Sequence, residues 1–433
     1  MALKKESKNT YLFKTMKNLL TVAILVGAMV AMVSCSDDDN GGGETPNTAL
    51  TGKITADMTL TADKIWTITG RVIVTDGVTL TIEPGTIIKG TEGSGTNAAI
   101  LMIARGGKIN AKGTAAKPII MTSVLDDIQV GQLKGTNLTD LSTSRGKWGG
   151  LVILGKAPVS VDGALEGQIE GVPAAEPLGL YGGNVAGDNS GVVEYMSIRY
   201  GGTVLDAAAG KDVNGLTLGG VGSGTTIKNV EIYGNVDDGI EFFGGSVNVS
   251  NALISFQGDD ALDVDQAYSG TVNNFMLIQN GDGDEALEID GPEGSDNADG
   301  LFKIQNGTVV SKDGNGSAAD FKSKAQGTVT NVKFSGYTTA KLKFRASYTD
   351  CTTSKTDAFS HLVSDPAKLT LSNVEFNTVS VYTESEDANK NKCTVPAADQ
   401  TAAEGKVVSA TTSGASDAGV WNGWTLTSLR NEL

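Results

Sequence analysis

Short segments in which apolar and polar residues alternate recur along this chain, and they are clearest between residues 210 and 335. One set reads NGLTLGG (214–220), DGIEFFGG (238–245), DALDVDQ (260–266), EALEIDG (285–291) and, more weakly, SAADFKS (317–323). Aligned on their second apolar position, the segments give one column: Leu218, Phe242, Val264, Ile289 and Phe321. Alternation of this kind predicts strands with one buried face, so Ile240 and Phe242 are expected to point inward and Glu241 and Phe243 outward.

A second strand pattern follows the first in the same order. Its members share an asparagine, and the resulting column is Asn229, Asn251, Asn274, Asn306, Asn331 and Asn373. Two strand patterns that recur together every ~22–25 residues fit one coil of a parallel β-helix, because a single coil cannot bury its apolar face alone. We therefore predict an all-β fold, a right-handed parallel β-helix, in which the asparagines stack at a turn and have a structural role.

The N-terminal third continues this style with short strands separated by Gly and Pro turns. The phrases LTIEPGT (80–86) and KINAKGTAAKPIIMTS (108–123) resemble those of many bacterial right-handed β-helices. Longer insertions are predicted to interrupt the coils at 124–146, 160–190, 291–300, 340–367 and 379–420. Loops that leave a solenoid often carry binding function. Trp421 and Trp424 are expected to cap the open end of the helix.

The first 50 residues have a different character. Lys14 and Lys17 precede an apolar run, 19–33, that has the length of a signal-peptide core and is shorter than a membrane-spanning helix. Ser34 and Cys35 follow, which resembles a lipobox, although Met32 is unusual at its position. We predict a lipoprotein signal peptide over 1–34, lipidation of Cys35, a flexible acidic and Gly-rich tether over 35–50 and the β-helix domain over 51–433. Translation could start at Met1 or Met16, and a transmembrane anchor is the alternative.

Three aspartates directly after Cys35 are similar to the signal that sends lipoproteins of Bacteroidota to the outer face of the outer membrane. Together with the β-helical phrases, they make the chain resemble a Bacteroidota family of β-helical surface lipoproteins, mostly of unassigned function. The resemblance implies a lipid-anchored protein of the outer membrane that faces the cell exterior.

Charge and composition narrow the choice of function. The chain of 433 residues has a net charge of −16, and residues 35–433 contain 29 basic and 49 acidic residues. Such a surface repels nucleic acid and favours cations, neutral glycans or other cell-surface proteins as partners. His361 is the single histidine, which excludes poly-histidine metal sites. Cys351 and Cys393 are candidates for a disulfide, since an exported protein allows one.

Aligned carboxylates are the feature that points most directly to chemistry. One outward column holds Glu241, Asp263, Glu288 and Asp320, and the next holds Asp265 and Asp290. Further acids precede the strands: Asp237, Asp238, Asp259, Asp260, Asp284 and Glu285. Like charges one coil apart, ~4.8 Å, repel, so these groups need raised pKa values, basic neighbours or a bound cation.

The candidate ligands for a hard cation such as Ca²⁺ are Asp263, Asp265, Glu288 and Asp290. An acidic stripe that only keeps the surface solvated is an alternative, and the turn acids alone can serve backbone N–H groups.

Two functions remain open from the sequence. The first is a non-catalytic binding or adhesion module for glycans, Ca²⁺ or both, in which outward Phe243 and Tyr268 could stack on sugars or be ordinary surface aromatics. The alternative is a β-helical polysaccharide lyase or glycoside hydrolase that uses Asp263, Glu288 and Lys322. The sequence favours the binding module, because the histidine motif and basic triplet of polygalacturonase-like hydrolases are missing.

Overall fold

The alternating segments fold into parallel strands that stack coil upon coil. The computed structural model describes residues 48–433 except 171, 173–175, 207–210 and 295–296. The predicted signal peptide, Cys35 and nearly all of the tether therefore lie outside the described residues.

The strands are β1 (Ala49–Ile54), β2 (Met58–Leu60), β3 (Ile65–Val74), β4 (Thr79–Ile82), β5 (Ile87–Gly90), β6 (Ile100–Ile103), β7 (Lys108–Lys112), β8 (Ile119–Ser123), β9 (Leu151–Leu154), β10 (Glu166–Gln168), β11 (Leu180–Gly182), β12 (Gly191–Arg199), β13 (Leu216–Gly219), β14 (Thr226–Tyr233), β15 (Ile240–Phe243), β16 (Asn248–Ser255), β17 (Leu262–Asp265), β18 (Thr271–Gln279), β19 (Glu285–Ile289), β20 (Phe302–Ser311), β21 (Ser317–Phe321), β22 (Gly327–Ser335), β23 (Lys341–Arg345), β24 (Ser347–Tyr348), β25 (Ser354–Lys355), β26 (Leu369–Glu375) and β27 (Thr378–Tyr382). The helices are α1 (Leu141–Ser144), α2 (Ala358–Val363), α3 (Ala397–Lys406) and α4 (Leu426–Leu429), with 3₁₀ turns at Gly95–Asn97, Pro177–Gly179 and Ala418–Trp421.

Strands two apart in sequence pair in parallel through most of the molecule. In the first face of the helix, β13, β15, β17, β19, β21, β23 and β27 follow one another. The longer strands β12, β14, β16, β18, β20, β22 and β26 bend at a corner and supply the other two faces. This is the parallel β-helix that the repeats predicted, and the fold prediction is confirmed.

The column of core residues has the predicted register. Phe242 pairs with Leu218 on one side and with Val264 on the other, and the series continues through Ile289 to Phe321. All five side chains are fully buried in one continuous apolar core. Each coil covers the apolar face of its neighbour, which is why the repeat is stable only as a stack.

The asparagine column forms a hydrogen-bonded ladder at the corner between two faces. All six asparagines have φ between 53° and 59°, a left-handed conformation that asparagine tolerates better than most residues. Asn251 Nδ2 donates to Asn229 Oδ1 over 2.7 Å, and Asn274 Nδ2 donates to Asn251 Oδ1 over 2.8 Å. The structural role predicted for these asparagines is what the structure shows.

Two of the predicted insertions are partly wrong. Residues 340–367 and 379–420 were expected to leave the helix, but each begins with or contains a coil strand, β23 or β27. For β23 the error has a simple cause: Lys343 stands where the earlier repeats carry an acid, so the sequence of this strand no longer resembles theirs. The insertion at 160–190 contains the antiparallel hairpin of β10 and β11.

The tryptophan cap is also in a different place from the one predicted. Trp421 and Trp424 are fully buried, but they pack against the flank of the helix with Tyr200, Tyr233 and Leu253. They belong to the return segment, residues 409–432, which runs back along the asparagine corner. The C-terminal edge strand β27 is covered instead by α3, where Gln400 bonds to the backbone of Val379 and Val381.

Candidate functional site

The aligned carboxylates lie on the outer side of the first face, in the register that the repeats predicted. Glu241 pairs with Asp263, Asp263 with Glu288, and Glu288 with Asp320. Lys343 follows Asp320 in the same column. Strand pairing therefore brings carboxylates of successive coils side by side, about 4.8 Å apart at the backbone.

This column is not a solvated stripe over its first coils. Glu241 is only 6 % exposed, and Phe243, expected to point outward into solvent, is 8 % exposed. The hairpin of β10 and β11 covers this part of the face, where the ring of Tyr181 packs 5.7 Å from that of Phe243 and its hydroxyl donates to Gln266. The prediction of an exposed Phe243 was wrong because strand alternation alone does not report what a distant insertion covers.

Tyr268 is not a surface aromatic either. It is 1 % exposed, its ring packs against Phe242 at 4.4 Å, and its hydroxyl donates to the carbonyl of Val247. The sugar-stacking platform proposed for Phe243 and Tyr268 is therefore wrong.

The acids that precede the strands form a ladder of their own. Asp238 Oδ1 accepts from the backbone N–H of Asp260 over 3.0 Å, and Asp260 Oδ1 accepts from the N–H of Glu285 over 2.6 Å. Each carboxylate thus serves the backbone of the next coil. This agrees with the reading in which turn acids satisfy N–H groups.

Among the described residues, two groups of three carboxylates could hold a metal ion. One contains Asp237, Asp238 and Asp259, and the other contains Asp238, Glu241 and Asp263; within each group the ligand atoms lie within 4.8 Å of one another. We call the second group the buried triad. Of the ligands expected from the sequence, only Asp263 belongs to it, whereas Asp265, Glu288 and Asp290 lie outside both groups.

Burial raises the pKa of every member of the buried triad well above its ordinary value, and neighbouring carboxylates raise it further. The same causes raise the pKa of Asp237 to about 7 and that of Asp260 to about 10. Removing a charge from water is costly, and a second negative charge nearby adds to the cost. Within the described residues, no Lys or Arg forms an ion pair with any of these five acids.

The later coils compensate their carboxylates with lysines. Lys322 pairs with Glu288, and Lys343 pairs with Glu285 and lies 3.2 Å from Asp320. Glu288 and Lys322, two of the three residues of the catalytic alternative, therefore neutralise each other. Sequence reasoning missed Lys343, although aligning Phe344 with Phe321 would have added it to the column.

Comparison with known families gives one match. The profile of the family described as a pectate-lyase-like β-helix domain covers residues 52–425. The chain belongs to this family. No match was found among curated proteins or among solved structures.

A second residue of this β-helix domain that sequence reasoning missed is Asn214. It is 4 % exposed, its Nδ2 donates to Glu241 and to Thr217, and its Oδ1 has no hydrogen-bond partner in the described structure. A cavity of about 20 Å³, the size of one water molecule, lies against Asn214 and Thr217. Asn214 is the first residue of the repeat NGLTLGG and aligns with Asp238. Its position in the repeat alignment could therefore have identified it as a neighbour of the acids.

Two further features of the domain concern its covalent chemistry and its helices. Cys351 and Cys393 form a disulfide, with Cα atoms 5.0 Å apart. Among the described helices, none is both long enough and apolar enough to span a lipid bilayer.

Proposed function

We propose that this chain is a non-catalytic lipoprotein of the outer cell surface that binds glycans and holds a hard cation, such as Ca²⁺, at its buried triad. Lipidation of Cys35, anchoring to the outer membrane and orientation toward the exterior rest on the signal-like run before Cys35 and the acids after it. Polysaccharides or other surface proteins are the partners that an acidic solenoid of this kind suits.

The observation that carries the cation proposal is the chemistry of the buried triad. Asp238, Glu241 and Asp263 converge within 4.8 Å, and Asp263 Oδ1 is buried without a hydrogen-bond partner. Asn214 lies beside the triad: its Nδ2 donates to Glu241, and its Oδ1 is buried without a hydrogen-bond partner in the described structure. Ca²⁺ binds several carboxylate and amide oxygens and tolerates irregular geometry. A bound cation would offset both the burial and the mutual repulsion that raise the pKa values of these acids.

The same geometry argues against polysaccharide cleavage at the column. A hydrolase needs two carboxylates that reach the scissile bond from either side. Glu241 is only 6 % exposed and accepts from Asn214, and Glu288 is held by Lys322. Because Lys322 is ion-paired with Glu288, its amine is occupied and is not positioned to take a proton from a substrate.

The test is a thermal melt at neutral pH with millimolar Ca²⁺ or with chelator. We expect Ca²⁺ to raise the melting temperature, and we expect Glu241→Gln combined with Asp263→Asn to abolish the rise. Asp290→Asn is the matched control, since Asp290 is a partly buried acid on the same face but outside the triad, and it should keep the rise.

Absence of any Ca²⁺ effect on the wild-type protein would refute the cation site. The non-catalytic assignment is tested separately by incubating the protein with acidic and neutral polysaccharides. Appearance of reducing ends or of unsaturated products would overturn it.

A further inference from the structure

A cavity of about 690 Å³ lies between α2 and the starts of β22 and β26. Its size lies in the range of small-molecule sites, ~300–1,000 Å³. His361 lies at its wall, Lys368 directly precedes β26 and Thr370 lies in it, and Asp299 and Leu301 lie before β20. Three distant parts of the sequence therefore meet there, which is why the repeats gave no sign of it.

The wall that α2 contributes is held rigidly against the helix. Asp357 caps α2 and also accepts from the backbone N–H of Lys324 over 2.9 Å. On the other side, Gln326 Nε2 donates to the carbonyls of Ala298 and Gly300 over 2.6 and 2.9 Å. A site whose walls are already fixed loses little conformational entropy when a ligand binds.

His361 presents a hydrogen-bond acceptor to this cavity. Its Nδ1 lies 3.1 Å from the carbonyl oxygen of Ala325, and a carbonyl can only accept, so Nδ1 carries the proton. In the neutral ring, Nε2 is then the unprotonated nitrogen. The side chain is 7 % exposed and cannot swing away from this position without leaving the Ala325 carbonyl unpaired.

The rest of the lining is mostly apolar surface interspersed with hydroxyl-bearing residues. Leu301, which is 48 % exposed, Pro366 and Ala367 all line the cavity. The hydroxyl-bearing residues are Thr328, Thr356, Ser360, Ser364 and Thr370. The hydroxyls of Ser360 and Ser364 bond within α2 and the turn that follows it, so the threonines are the groups offered to a ligand. Asp299 and Lys368 contribute one charge of each sign, so the cavity is close to neutral in a strongly acidic protein.

We infer that this cavity is a subsite for a neutral saccharide unit, with His361 Nε2 accepting from a sugar hydroxyl and Leu301 packing against the C–H face of the ring. Mixed hydroxyl donors and acceptors around an apolar patch match the two faces of a sugar. The absence of an excess of positive charge in the lining disfavours a uronate. The inference rests on the glycan-binding part of the proposed function and is independent of the buried triad.

The single histidine makes the test direct. Protein labelled with ¹³C and ¹⁵N in histidine gives one imidazole, that of His361, whose ring signals are followed by NMR while neutral oligosaccharides of glucose, galactose, mannose, xylose and N-acetylglucosamine are added to about 10 mM, above a Kd of about 1 mM. We expect at least one of them to shift the signals saturably. Binding of the matching polysaccharides to the whole protein is measured in parallel by sedimentation.

Leu301→Ala is the diagnostic variant, because an exposed leucine contributes little to folding. We expect it to weaken saccharide binding about fivefold through loss of apolar contact. Val408→Ala is the matched control, since Val408 is 74 % exposed and its truncation should leave binding unchanged.

The two measurements separate failure of the inference from failure of the proposed function. Polysaccharide binding without a change at His361, or a response to uronates alone, would overturn the neutral-sugar subsite and leave a glycan-binding role intact. No binding of any saccharide by either measurement would overturn both. A saturable shift that Leu301→Ala weakens and Val408→Ala does not would support the assignment.

Discussion

Glu231 Oε1 accepts hydrogen bonds from both the backbone N–H and the hydroxyl of Thr427, each over 2.9 Å and across 196 residues of sequence. The other oxygen, Oε2, accepts from the N–H of Leu426 over 2.8 Å and from Ser197. Glu231 has no solvent exposure. One buried carboxylate therefore fastens the return segment to the flank of the helix.

Glu231→Gln is expected to lower the free energy of unfolding by about 3 kcal/mol. The amide would direct a donor at groups that are themselves donors, and it would remove the negative charge near the buried guanidinium of Arg199. Chemical denaturation measures the loss, and hydrogen exchange should rise at residues 420–432. Glu194→Gln, on the neighbouring strand β12 and partly buried, is the control; an equal loss there would contradict a specific role for Glu231.

The asparagine ladder predicts a graded response at Asn251. Asn251→Ala loses two ladder hydrogen bonds and places alanine at φ 57°, so we expect a cost of about 2–3 kcal/mol. Asn251→Gly loses the same bonds without the left-handed strain and should cost about 1 kcal/mol less. Urea denaturation of both variants gives the comparison. Equal costs would mean that the left-handed backbone contributes nothing to the preference for asparagine.

Lys343 is expected to stabilise the folded protein, because it pairs with two carboxylates of the later coils. Lys343→Met leaves Glu285 and Asp320 without their shared cation, and we expect a loss of about 2 kcal/mol in unfolding free energy. The expected loss is smaller than for a fully buried ion pair, because 27 % of the Lys343 side chain is exposed to solvent. Lys341→Met, an exposed change on the same strand, should alter stability by less than about 0.5 kcal/mol. A loss that is no larger at 343 than at 341 would contradict the pairing.

The pKa shifts predict how stability depends on pH when divalent cations are removed. Burial and neighbouring acids raise the pKa of Asp237, Asp265 and Asp290 to about 7 each, so the folded protein keeps protons that the unfolded chain releases near pH 4. The stability contributed by these protonated groups is complete below about pH 4 and is lost as pH rises through 7. Melting temperature with chelator should therefore fall between about pH 5 and 8.

Asp265→Asn should flatten that pH profile, because the amide has no proton to lose. Asp350→Asn should leave it unchanged, since hydrogen bonds from Thr352 and Thr353 hold the pKa of Asp350 at about 2, below this range. A melting temperature that is constant or rises from pH 5 to 8 in chelator would show that the buried acids do not titrate in this way.

The sequence predicted the coil and its register because a one-coil repeat places equivalent residues next to each other. Phe242, Val264 and Ile289 follow from alternation and spacing alone, as do the neighbouring Asp263 and Glu288 and the ladder that contains Asn251. The members of the buried triad could not all be chosen on that basis. Glu288 has the right spacing for a ligand, but Lys322 neutralises it, and that contact depends on side-chain reach rather than on register.

What the sequence determined by itself is everything that depends on neighbours one coil away: the fold, the core column, the asparagine corner and the alignment of the acids. Tertiary structure decided which part of this face is buried, because the β10–β11 hairpin packs Tyr181 against Phe243 and Gln266 of two different coils. It also decided that Trp421 packs on the flank and that His361 faces a cavity. In a repeat, backbone hydrogen bonds join residues at a constant sequence spacing, so the contacts can be read from the sequence. The contacts of an insertion or of a returning chain end depend on the three-dimensional course of the chain, which no spacing in the sequence specifies.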